Sequence, residues 1–128
     1  MKLDMLFKRL ILANIVLVIF FLISPFMNIE SQMVLNFNYN VELNDGVFFL
    51  TIVWIVAFFI SLYLLYNFKK FGKQLFLIVF IMGMVFTLLG GPIAFDPITY
   101  ILDGLGMAIN GALLLILYYT PISKKFRN

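Results

Sequence analysis

Residues 46–68 read GVFFLTIVWIVAFFISLYLLYNF, 23 positions without one charged side chain. About 20 apolar residues at 1.5 Å rise each cross a hydrocarbon core roughly 30 Å thick. A backbone in lipid has to satisfy its own hydrogen bonds, so such a stretch is helical. Three more uncharged stretches flank it, Leu10–Ile29, Gln74–Phe95 and Gly104–Ser123. Together they predict an all-α integral membrane protein, a single four-helix transmembrane domain over residues 1–128. The expected spans are about 10–29, 47–67, 74–91 and 104–121, with an outer loop over 30–45.

Composition supports this reading. The chain is 64% hydrophobic and 12% charged, against about 45–50% and about 25% for soluble domains. Too little polar surface is left to cover a water-soluble fold, which excludes a soluble globular enzyme. The chain has no cysteine and no histidine, so thiolate chemistry and the commonest general base and metal ligand are missing.

The charges predict the threading. Lys2, Lys8 and Arg9 precede the first span, Lys69, Lys70 and Lys73 separate the second from the third, and Lys124, Lys125 and Arg127 follow the fourth. Of the acids only Asp4 falls with them; Glu30, Glu42, Asp45, Asp96 and Asp103 fall at the opposite ends. Nine positive charges less one negative leave +8 on one face, and −5 on the other. The positive-inside rule then predicts two hairpins with both termini inside, in a bacterial cytoplasmic (cell inner) membrane. Lys8-Arg9 before an apolar run has the order of a signal peptide, but the run is too long and Ser24-Pro25-Phe26 is no cleavage site. The first span is therefore expected to be retained, with Pro25 ending or kinking it.

Small residues suggest how the helices pack, because lipid gives helices no hydrophobic reason to touch. Gly83, Thr87 and Gly91 repeat at spacing four on the third span, and Gly104, Ala108 and Ala112 on the fourth. Residues four apart share a helix face, so a tight hairpin of spans three and four is expected. Thr87 and Asn110 both lie roughly 10 Å inside the core and are the expected hydrogen-bonded clamp. Asn14 and Ser61 are expected as a similar pair. Each half of the chain opens on Phe and Lys and closes on Tyr and Lys, a pattern that fits a repeat of two hairpins and follows equally from positive-inside selection.

Between the first two spans, Phe37, Tyr39, Val41 and Leu43 alternate with Asn36, Asn38, Asn40 and Glu42. Period two predicts a short β-like segment with one apolar face. A lone strand is unstable in water, so it pairs locally, rests on the headgroups or adds to a partner's sheet. Those four apolar residues are the candidate partner-binding set. Asp103 is expected to cap the fourth helix. The basic clusters around Phe71 and Phe126 read as topology signals lying against anionic headgroups, and no nucleic-acid partner is expected.

No catalytic, cofactor-binding or metal-ligating set emerges. The spans carry no ionisable group of the kind that ion-coupled carriers bury. The expected function is non-enzymatic: protein–protein interaction in the membrane, as an accessory subunit of a complex or an immunity or exclusion factor. Its partners are the lipid bilayer and another membrane protein or a second copy. The alternative is a small oligomeric transporter or channel for a neutral or lipid-like solute.

Overall fold

The computed structural model describes residues 2–27, 33, 45–89 and 95–127. Among these residues are four helices long and apolar enough to cross a membrane, and no strand. The segment with Phe37, Tyr39, Val41 and Leu43, and also Gly91, lies outside the described residues. We number the helices α1 (Leu3–Ile23), α2 (Asp45–Tyr66), α3 (Lys70–Leu89) and α4 (Pro97–Tyr119).

Each boundary has a local cause. Helix α1 starts ahead of its apolar run, with Asp4 in the first turn complementing the positive end of the helix dipole. It stops where Pro25 withholds a backbone donor, and Ser24–Phe26 tighten into a 3-10 turn. Helix α2 ends in a six-residue closure in which Lys69 N–H reaches Leu64 O at 2.9 Å and Phe68 N–H reaches Leu65 O at 3.0 Å. This closure places Phe68 at a left-handed φ of 54°, a position usually given to glycine. The strain is held by packing, since the Phe68 ring meets Phe126 at 5.4 Å and Phe7 at 5.9 Å.

Helix α4 begins earlier than its uncharged run. Asp96, not Asp103, is its N-cap: the Asp96 carboxylate accepts from Thr99 N–H at 3.3 Å, and Pro97 opens the first turn. Proline favours that position because its missing N–H would be unpaired there anyway. Asp103, two turns inside the helix, has no free N–H group to cap. Asp96→Ala is expected to lower stability in detergent by about 1–2 kcal/mol, the usual worth of a cap, whereas Asp103→Ala stays within about 0.5 kcal/mol. Thermal unfolding of the two variants checks this.

Helix pairing differs from the expected hairpin of the last two spans. Helix α2 packs along α3 and α1 along α4, while α3 and α4 meet only sparingly. The glycines account for the α2–α3 contact. A Cβ on Gly72 would stand 2.7 Å from Leu64 Cβ and 2.9 Å from Leu65 N, so α3 touches the α2 backbone there. A Cβ on Gly83 would stand 2.8 Å from the Trp54 ring. A Cβ on Gly104, Gly106 or Gly111 of α4 would meet nothing within 4 Å among the described residues.

The core occupies one half of the bundle. Phe7 and Ile11 of α1, Phe58, Leu62 and Leu65 of α2, Phe76 and Val79 of α3, and Leu113 and Leu117 of α4 form one buried cluster. Spacings of three and four put each set on a single helix face. A 3-10 segment, Pro121–Arg127, folds back to close this end with Ile122 and Phe126, both buried. The sequence around Phe126 thus does more than signal topology. Charged groups gather at the same end: Lys125 pairs with Asp4, Lys8 lies 4.6 Å over the Tyr66 ring, and Lys73 lies 4.2 Å over Tyr118. Exchanging the first two helices with the last two maps one cation–π contact onto the other.

Candidate functional site

Toward the opposite end the side chains become too small to fill the space between the helices. Thr51, Gly83, Thr87 and Gly106 follow the bulky core positions, and a cavity of about 310 Å³ opens among all four helices. Its wall is apolar, with Leu17, Phe21, Ile55, Phe80, Met84 and Met107 contributing. Asn14, Thr51, Trp54, Thr87, Asp103 and Asn110 are the polar residues along it.

Asn14 is fully buried where the core meets the cavity. Its Nδ2 donates to Asn110 Oδ1 at 2.6 Å, joining α1 to α4. Its Oδ1 is buried and has no hydrogen-bond partner among the described residues. An unpaired buried amide oxygen costs about 1–3 kcal/mol, a cost that a hydroxyl or N–H reaching it from the cavity would relieve.

Trp54 forms the facing wall from α2. Its Nε1 donates to Val79 O at 2.8 Å, and its ring stacks on Phe58 at 5.7 Å. Gly83 makes this possible. The Val79 carbonyl lies one turn before Gly83, and the absent side chain lets the indole reach the α3 backbone.

The expected polar pairs are re-sorted. Thr87 Oγ1 donates to Gly83 O at 3.0 Å within its own helix rather than to Asn110. Ser61 donates to Phe58 O at 2.6 Å rather than pairing with Asn14. Hydroxyls satisfy themselves locally on a preceding carbonyl, whereas the longer, two-ended amides have to look across helices. Of the small residues expected to pack, Gly83 meets α2, Gly104 has open space around it, Ala108 is exposed and Ala112 is half-buried.

At the acidic end, Ser24 Oγ stands 2.7 Å from Thr99 Oγ1, which donates to Asp96 Oδ1 at 2.5 Å. This buried chain ties the end of α1 to the start of α4. Asp96 and Asp103 are seven residues apart, roughly 10 Å along a helix, too far to share one ion. No group of three or more acidic, histidine or cysteine ligands occurs among the described residues. Sequence reasoning missed Trp54 and Gly72, although each carried a signal. A lone tryptophan deep in a span needs a partner for its N–H, and a glycine just after a three-residue turn marks a close crossing. Comparison with known protein families, curated proteins and solved structures finds no match.

Proposed function

We propose that this chain is a multi-pass membrane protein whose four-helix cavity binds, and in an assembly passes, a small uncharged solute with an apolar body and one hydroxyl or amide group. The buried Asn14 Oδ1 without a partner, at the edge of an apolar cavity, carries the reading. Sites for such ligands are mostly apolar, with a few placed polar groups fixing orientation. Contrary to the expectation that the spans carry no ionisable group, Asp103 lies within α4 and along the wall, but it is exposed. The buried part of the wall near Asn14 is uncharged, which suits the uncharged portion of a ligand.

Membrane residence is supported by the outer surface. Phe20, Phe49, Ile60, Leu88 and Ile101 are exposed on the four helices, more apolar surface than water tolerates on a monomer. The basic end faces the cytoplasm by the positive-inside rule.

Trp54 is the single tryptophan and lines the cavity, so its fluorescence tests the reading. In detergent, a brominated long-chain alcohol is expected to quench Trp54 saturably, and the brominated alkane of equal length only in proportion to its partitioning. Equal, unsaturable quenching by both would remove the solute reading.

Interaction within the membrane is the second reading, and one observation favours it. Among the described residues, Gly104 and Ala108 leave a shallow face of α4 without a neighbouring helix, the kind of surface against which another helix packs closely. On that reading Ala108→Phe abolishes cross-linking to a second copy or partner while Trp54 quenching is unchanged.

A further inference from the structure

A second cavity lies at the basic end, away from the solute cavity. It has a volume of about 450 Å³ and is lined by Lys70, Lys73, Gln74, Tyr118, Ser123 and Phe126. These come from the start of α3, the end of α4 and the 3-10 segment that folds back across it. The segment stays folded back because Ile122 and Phe126 are buried in the core, so Ser123 is presented at a fixed point.

Lys73 is held in place. Its Nζ donates to Ser123 Oγ at 2.8 Å and sits over the Tyr118 ring at 4.2 Å. An ammonium has three hydrogens and no acceptor, which leaves donor capacity facing the cavity. Lys70, three residues earlier on α3, has no carboxylate partner among the described residues and is exposed. The cavity thus assembles two ammonium groups, an amide and two hydroxyls, with no carboxylate along its wall. Such a donor set fits an oxyanion with several acceptor oxygens. Lys8, the counterpart on α1, lies instead over two rings, Tyr66 at 4.6 Å and Phe68 at 5.4 Å.

We propose that this cavity seats the phosphate of an anionic lipid headgroup. Phosphate is the shared chemistry of a lipid and a free ion, and the surroundings favour the lipid. Phe71, Leu115 and Tyr119 are exposed beside the site, giving acyl chains an apolar surface to follow. Basic pockets between membrane helices at the cytoplasmic side take such headgroups. The assignment rests on the membrane placement proposed above and not on the solute cavity.

The test is titration of the detergent-purified full chain with short-chain phosphatidylglycerol and phosphatidylcholine, with bound lipid read by native mass spectrometry. Wild type is expected to bind phosphatidylglycerol saturably and in preference to phosphatidylcholine. Lys70→Gln and Lys73→Gln are each expected to weaken that binding about five-fold, the worth of one lysine near an anionic surface. Lys124→Gln removes the same charge outside the cavity and should leave binding nearly unchanged. Lys70 makes no contact that the fold needs, so its loss reads binding directly, and an unchanged Trp54 emission spectrum verifies folding. Equal weakening in all three variants would reduce the effect to diffuse charge and overturn the site. So would an absence of preference for phosphatidylglycerol. Inorganic phosphate competing as strongly as the lipid would overturn the lipid assignment. Solute quenching of Trp54 is read on the same samples, so failure of either proposal is seen separately.

Discussion

Gly72→Val is expected to force α2 and α3 apart and to be the most destabilising single change in the bundle. Even the first added carbon would stand 2.7 Å from Leu64 Cβ, 2.8 Å from the Leu64 carbonyl carbon and 2.9 Å from Leu65 N. Two of those three atoms are backbone and cannot rotate aside. Sliding is no escape either, because only residues 67–69 join the helices and Phe68 is already at a left-handed φ. Overpacking usually costs about 1–3 kcal/mol and occasionally more; a branched side chain against a rigid backbone belongs at or above the top of that range. The separation would also draw Val79 away from Trp54 Nε1, so the indole loses its 2.8 Å hydrogen bond. Red-shifted Trp54 emission and a lower midpoint of thermal unfolding are the expected observations. Gly104→Ala is the matched control. No described residue lies within 4 Å of its added carbon, and in a helix interior alanine is favoured over glycine. A Gly72→Val protein as stable as the Gly104→Ala protein would contradict the close crossing.

The contrast between these glycines shows what the sequence reveals and what it hides. Spacing four on α3 and on α4 looks the same in a one-dimensional pattern, yet Gly83 receives an indole and Gly104 receives nothing. A stripe says that close approach is allowed, not which helix approaches. Helix number was legible because an uncharged run of 20 or more residues has few alternatives in lipid. The end of α1 was legible because Pro25 acts through its own backbone. The start of α4 was not, because Asp96 and Asp103 are equally good caps until Pro97 is weighed as the first helical residue. The polar residues are a different matter: Asn14, Thr87 and Asn110 line the cavity, and Ser61 is buried without lining it. Neither expected pair forms, and Asn14 bonds Asn110 instead, because which of them bond depends on lateral pairing of helices that periodicity cannot supply. Phe126 shows the same limit. Between Lys125 and Arg127 it reads as part of a topology signal lying against headgroups, and only the fold reveals the gap beside Phe7 and Phe68 that it fills.

Asn14 and Asn110 allow stability and ligand binding to be separated. Asn110→Leu removes the acceptor of the 2.6 Å bond and leaves both ends of the fully buried Asn14 amide without a partner. That variant is expected to lose about 1–2 kcal/mol, within the range for hydrogen bonds between helices in a membrane and for stranded buried polar groups. Asn14→Leu should cost less, because it removes the stranded oxygen together with the donor, and the Asn110 that remains is only half-buried on the cavity wall. In the double variant both amides are gone and leucines meet across the helices. Replacing both partners of a buried hydrogen bond is nearly neutral, so stability should return close to wild type. The double-mutant cycle then yields a coupling equal to the sum of the two single losses, about 1–3 kcal/mol. Solute binding is expected to follow a different rule. Both proteins lacking Asn14 should bind the brominated alcohol about 3- to 30-fold more weakly, the equivalent of one hydrogen bond in this environment, although the double variant is as stable as wild type. A residue that merely clamps α1 to α4 would move stability and leave saturable quenching intact in the restored double variant. Recovery of stability without recovery of binding is therefore the result that distinguishes a ligand-facing amide from a structural one.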